Sequence, residues 1–199
     1  MLAATTASSA RAAAESVLPH LGAGAIYADL NTAAPGLKRE LAELVHEAGA
    51  DFVDVALLGP IPARGLQAPV LASGRGAPAF AELFVPFGMP VQVISDVPGD
   101  AGAMKLVRSV FMKGLAAAVV ESMQAAELAG HADWLTEEIV SMIGRPFFER
   151  ALEGSRKHAA RRVDEMKAAR ELLVELGVEP HVAGASAAQL ADLASAGRR

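Results

Sequence analysis

A change of texture near residue 100 constrains this chain more than any other feature of its sequence. Before it, short apolar runs of β type alternate with segments of helical period; after it, only the helical period remains. Residues 25–30, 52–58 (FVDVALL) and 91–95 (VQVIS) read as buried strands, 70–73 as a weaker one, and 2–6 as a strand that starts abruptly. Between them, 9–21 is an Ala-rich helix. Leu37, Leu41, Leu44, Val45 and Ala48 recur at helical spacing with Gly49 as a stop, and 78–84 is a short helix. Strand–helix–strand alternation with connections of this length predicts a mainly parallel α/β sheet over 1–100. A long helix then opens at Asp100 or Gly102 and runs to Ala129, where Gly130 closes it. Helices at 135–143, 146–152, 158–176 and 185–196 make 101–199 an all-α domain.

Composition narrows the function classes. The chain is 52% apolar, enough for a packed core. Its 23 acidic residues outnumber 18 basic ones, and a net charge of −5 argues against nucleic acid as a partner. Without cysteine there is no disulfide, thiolate metal site or cysteine nucleophile, and five scattered histidines form no HxxxH or HExxH pair, so no metal site is expected. The most apolar long stretch, 104–123, is interrupted by Lys105, Arg108, Lys113 and Glu121, and the N-terminus lacks a basic segment followed by an apolar one. The expectation is a soluble, cytoplasmic protein with no membrane partner.

The chemistry-bearing candidates cluster in a few places. Lys105 lies in the first turns of the long helix, with Ser109 at i+4 on its face. An amine near a helix N-terminus feels the positive end of the macrodipole, which favours giving up its proton and suits acid/base work. The plain alternative is a solvated stripe of Lys105, Arg108 and Lys113. Asn31 and Thr32 follow a strand and precede Pro35 and a helix, the position of the ligand crevice in an open parallel sheet, and Thr5 and Thr6 close an earlier strand in the same way. Turn and cap chemistry accounts for these four equally well. His158, Arg161 and Arg162 stand at i, i+3 and i+4, so they could clamp a carboxylate or phosphate, or form a solvated face.

Three segments carry a family resemblance. IYADLNTAAPGLKRELAELVHEAGADFVDVALLGP resembles the strand, Thr-containing turn, helix and Asp-containing strand of the β-hydroxyacid dehydrogenase superfamily, which includes 3-hydroxyisobutyrate and 6-phosphogluconate dehydrogenases. GDAGAMKLVRSVFMKGLAAAVVESMQAAELAG is similar to its Gly-x-x-x-Lys helix, with Glu121 sixteen residues after Lys105. HAARRVDEMKAARELLVELGVEP resembles the last helix of its short C-terminal helical domain, in the branch whose helical domain is catalogued as one of unknown function. The resemblance implies a partial Rossmann-like NAD(P)-binding domain over 1–100 and a 6-phosphogluconate dehydrogenase-like helical domain over 101–199.

The resemblance also implies roles. Lys105 matches the lysine that takes the hydroxyl proton of the substrate. Ser109 stands where the family places a substrate-orienting Asn, and Leu58-Gly59-Pro60 stands where it often has Ser-Gly-Gly. Gly59 keeps a backbone N–H for substrate that Pro60 lacks. Asn31, Thr32, Thr5 and Thr6 fall on the cofactor side, and His158, Arg161 and Arg162 on the substrate side. The implied cofactor is NAD or NADP, and the implied substrate is a small hydroxy acid. A homodimer through the C-terminal helices is expected. The Gly-x-Gly-x-x-Gly cofactor turn is not in this sequence, since the Gly22-x-Gly24 pair precedes a strand instead of opening a helix. By the family pattern the chain starts near the fourth strand, which makes a fragment the expectation. The expected function is hydride transfer between a nicotinamide and a small hydroxy acid. A non-catalytic dimerisation module retaining part of the dehydrogenase fold is the alternative.

Overall fold

The structure, a computed structural model, describes residues 1–59 and 61–196. It divides into two compact units, Met1–Lys105 and Leu106–Arg199, with the boundary inside one long helix.

The first unit runs β1 (Leu2–Ala3), α1 (Ala10–Val17), β2 (Ile26–Asp29), α2 (Pro35–Glu47), β3 (Asp51–Leu57), α3 (Ile61–Arg64), β4 (Val70–Ser73), α4 (Ala77–Phe84), β5 (Val91–Ser95) and the start of α5 (Asp100–Ala129). The sheet order is β1-β2-β3-β4-β5. The pairs β1/β2, β2/β3 and β4/β5 are parallel, and each is joined through a helix that crosses over. The pair β3/β4 is antiparallel. Among the described residues, the chain between these two strands holds the one-turn α3 and a 3-10 turn at Gly65–Gln67, a connection short enough for a reversal. Residues 61–67 are therefore short helical turns. Pro60, read as unable to donate an N–H, lies outside the described residues.

Two apolar faces explain the layers. Tyr27 and Phe52 are register partners and pack with Leu41 and Val45 of α2 and Ala10 and Ala14 of α1. Their neighbours Ala28 and Val53 point the other way and pack with Val70, Ala72 and Phe80 of α4. β1 ends at Ala3, so Thr5 and Thr6 lie beyond the strand and do not close it. Pro19 holds 18–20 in a 3-10 turn and ends α1 earlier than its Ala-rich composition suggests.

A polar row crosses this sheet. Asp29 pairs in register with Asp54, Asp54 with Ser73, and Ser73 with Ser95. Asp29 and Asp54 share the face of Tyr27 and Phe52, where α2 packs, and Lys38 of α2 meets them there. Its Nζ is 2.7 Å from Asp29 Oδ2, 3.1 Å from the Asp29 carbonyl oxygen and 2.8 Å from Asp54 Oδ1. All three side chains are excluded from solvent.

The second unit holds the rest of α5 with α6 (Ala132–Ile143), α7 (Arg145–Lys157), α8 (Ala159–Glu175) and α9 (His181–Ala196). Its core includes Ala116, Val119 and Met123 of α5, Ile139 of α6, and Phe148 and Ala151 of α7; α8 lies against α9. His158 stands at the N-cap of α8 and not within it. No helix among the described residues is long and apolar enough to cross a membrane.

Removing one partner from a buried ion group leaves uncompensated charge, at a cost of about 3–5 kcal/mol. Lys38→Met therefore lowers the unfolding midpoint strongly, whereas Arg11→Ala, which removes the exposed pairs to Glu15 and Glu40, leaves it nearly unmoved. Urea unfolding of the two variants checks this, and equal midpoints contradict it.

Candidate functional site

The polar row receives the first turn of α5. The Ala101 N–H donates to Ser73 Oγ (3.0 Å) and the Gly102 N–H to Asp54 Oδ2 (2.7 Å). Ser95 Oγ donates to Asp100 Oδ2 (2.6 Å). The free N–H groups of a helix start are thus met by side chains from β3 and β4, and Asp54 also answers the positive end of the helix dipole. Two glycines allow the close approach. A Cβ on Gly102 would sit 3.2 Å from Asp54 Oδ2, and one on Gly99, at φ +99°, would sit 3.0 Å from Pro35 Cα.

Lys105 is one turn further along. Its Nζ donates to Thr32 Oγ1 at 2.7 Å. Thr32 belongs to the loop that leaves β2, and the neighbouring Asn31 pins that loop. Asn31 Oδ1 accepts the Thr5 N–H (2.7 Å), and its Nδ2 donates to Asp29 Oδ1 (2.5 Å) and Thr5 Oγ1 (3.2 Å). The structure thus brings Thr5, Asn31, Thr32 and Lys105 together at the ends of β1 and β2, in two sets of hydrogen bonds joined by the Asn31–Thr32 peptide. Thr6 stays outside them: its hydroxyl donates to Ser9 Oγ and lies 3.0 Å from Ser8 Oγ at the start of a 3-10 turn. Gly59 is half-buried just past β3, with the Arg64 stem against it. A groove of about 530 Å³ lined by Arg39, Glu43, His46, Arg75 and Asp96 includes none of these groups.

In the helical unit, Ser109 is buried and donates to Glu165 Oε1 (2.5 Å). Lys113 Nζ donates to the same oxygen (2.7 Å) and to Ser109 Oγ (3.1 Å). Arg161 lies 3.7 Å from Glu165 Oε2, and Arg162 donates to Ser155 Oγ (2.9 Å). The three basic residues near the start of α8 thus differ: Arg161 turns to Glu165, Arg162 to α7, and His158 is exposed. Partial desolvation, with Arg161, Arg162 and Lys157 nearby, holds the His158 pKa below 6.5. Of Lys105, Arg108 and Lys113, only Arg108 is exposed.

Five of these residues are not singled out by the sequence reading as functional: Asp29, Lys38, Asp54, Lys113 and Glu165. A signal existed for two of them. Lys38 sits three before Leu41 and seven before Val45, and Glu165 four before Ala169 and seven before Leu172, so each charge occupies a position of the apolar stripe. Among the described residues no group of three or more His, Cys, Asp or Glu could hold a metal ion.

Comparison with known proteins follows the same division. Residues 114–193 match the family described as Domain of unknown function (DUF1932). A structure of a conserved protein of unknown function, reported to show structural similarity with 3-hydroxyacid dehydrogenases, is 32% identical with a TM-score of 0.71, covering 98% of this chain and 76% of that one. The 3-hydroxyisobutyrate dehydrogenase of Salmonella typhimurium shares the fold at 18% identity with a TM-score of 0.80, covering 98% and 73%. Others that share the fold at low identity include one solved in complex with NADP+. An uncharacterized 28.5 kDa protein of Methanothermus fervidus is 28% identical over 158 residues, 78% of this chain, and the chain spans 61% of that curated relative's length. The chain belongs to the β-hydroxyacid dehydrogenase superfamily.

Lys113 carries a measurable electrostatic signature. Burial pushes its pKa below 10.5; the Glu165 carboxylate opposes that shift, and Arg162 and Arg161 add to it. Between the lowered value and 10.5 the unfolded chain binds the extra proton, so this group makes stability rise with pH across that window. Glu165→Gln lowers the Lys113 pKa further and Arg161→Gln raises it. A titration of ¹⁵N-labelled lysine side chains by NMR checks both signs; a Lys113 that titrates at 10.5 in the native chain contradicts the account.

Proposed function

We propose that this chain carries the acid/base and substrate-side groups of a nicotinamide-dependent dehydrogenase acting on a small hydroxy acid. The observation that supports it best is the 2.7 Å bond from Lys105 Nζ to Thr32 Oγ1, on a helix whose start is anchored in the sheet. A fixed amine of this kind accepts a carbinol proton as charge develops on the oxygen, and returns it in the reverse direction. Thr32 Oγ1 accepts from Lys105, which leaves its own O–H to donate onward, so a proton has a path at that atom. Acceptance of the hydride from the carbinol carbon, which leaves a carbonyl, is the chemistry that a nicotinamide would supply there.

The residues present fit one end of such a cofactor. Thr5 and Thr32 offer hydroxyls at the ends of parallel strands, where dinucleotides bind in sheets of this kind, and Thr6 is assigned to the same side. Asn31, only 6% exposed, uses its amide to hold the loop in shape. The sequence has no glycine turn for a pyrophosphate, so the assignment stops at the nicotinamide end. For the substrate we assign Gly59, Ser109, His158, Arg161 and Arg162, with the two arginines supplying charge for a carboxylate. The proposal includes a cytoplasmic homodimer that associates through the helical unit, where Leu128, Trp134 and Met142 are exposed.

The test is direct. The chain is titrated with NADH and NADPH, and oxidation of a panel of small 3-hydroxy acids is followed with NAD+ and NADP+. Lys105→Met is expected to lower kcat/KM by about 10²–10⁴-fold while nicotinamide binding stays within about twofold. Turnover by Lys105→Met near the native value overturns the assignment. Failure of the chain to bind either nicotinamide favours a non-catalytic association module instead.

A further inference from the structure

Lys38 is the least expected charge in the molecule. It is wholly buried between two carboxylates, so the group carries a formal net −1 in the interior, met by the Asn31 amide on Asp29 and by the start of α5 on Asp54. Stability alone does not call for such an arrangement, since buried ion groups replaced by well-packed apolar residues are often as stable or more so. Its geometry has a narrower consequence. Each carboxylate uses one oxygen for Lys38 and the other for a different part of the site. Asp29 Oδ1 takes the Asn31 amide, which fixes the loop carrying Thr32. Asp54 Oδ2 takes the Gly102 N–H, which fixes the turn preceding Lys105. The two ends of the Lys105–Thr32 bond are therefore referenced to one ammonium.

We propose that Lys38 is a positioning residue: through Asp29 and Asp54 it sets the separation of Thr32 and Lys105. The functional meaning of that separation rests on the acid/base reading of Lys105, but the separation itself can be measured without turnover. No part of Lys38 touches the reacting atoms. It acts because three buried charges tolerate little displacement, so a shift at either carboxylate is transmitted to the other.

The experiment is competitive acetylation of the lysines of the full 199-residue chain with acetic anhydride, read by mass spectrometry. Amide exchange at Tyr27 and Val53 reports whether the sheet core is intact. Lys38→Met risks unfolding, so two milder variants carry the test. Asp54→Asn leaves one ammonium facing one carboxylate. Gly102→Ala keeps every charge but places a Cβ 3.2 Å from Asp54 Oδ2. Each is expected to raise the acetylation rate of Lys105 about fivefold, the loss of one hydrogen bond, with Lys113 unchanged as internal reference. Thr32→Val removes the bond directly and is expected to raise the rate equally. The double variants Thr32→Val/Asp54→Asn and Thr32→Val/Gly102→Ala then show no further rise, because both changes act through the same bond. A merely structural role gives additive effects. Native Lys105 reactivity in whichever of the two variants keeps its core amides, or additivity with Thr32→Val, overturns the proposal. Neither result bears on turnover, so failure here is distinct from failure of the dehydrogenase reading.

Discussion

The first unit depends on the hydrogen bond from the Gly102 N–H to Asp54. A long helix must begin somewhere, and its leading N–H groups need acceptors. Here the acceptors lie in the sheet, on the polar row that runs through Asp29, Asp54, Ser73 and Ser95. That row places carboxylates where the strands would otherwise be apolar, and so brings in Lys38 as counter-charge. A Cβ at 102 would crowd that bond, 3.2 Å from Asp54 Oδ2, and the bond fixes where the turn carrying Lys105 can lie. Fold, buried charge and candidate catalytic amine are consequences of one helix start.

The helical unit has its own buried charge, and it works on a different plan. Glu165 collects Ser109, Lys113 and, at longer range, Arg161, so one carboxylate faces an excess of donors. Both networks put an ionised group into a position that periodicity marks as apolar. Each is offset by opposite charge and by the hydrogen bonds that reach it. Membership of the β-hydroxyacid dehydrogenase superfamily gives the setting for both, a mostly parallel sheet followed by helices, without assigning a substrate.

Much of the architecture was legible in the residues. Residues 70–73 and 91–95 are strands with the bounds read from their apolar runs, and α5 ends at Ala129 before Gly130. The reversal between β3 and β4 was not legible, because a strand's composition is the same whichever way it runs and only the connection decides. Leu2 and Ala3 pair with β2, but Thr5 and Thr6 leave the sheet, since the Thr5 N–H turns to Asn31 Oδ1 instead of a strand carbonyl. At the site, Lys105 stood out as a charge in the first turns of a long helix, and Asn31–Thr32 as polar residues between a strand and Pro35. Asp29 and Asp54 did not, because each sits inside a run that reads as core, and the fold alone brings Lys38 and the Gly102 N–H to them.

Amide hydrogen exchange at Gly102 tests this account most directly. Helix starts ordinarily exchange fast, because their N–H groups have no partner within the helix. If the start of α5 is anchored on Asp54 and the rest is organised around it, the Gly102 amide exchanges only through global unfolding, as slowly as Val53 in the centre of the sheet. Exchange of Gly102 near the rate of an open loop amide, with Val53 still protected, would contradict it.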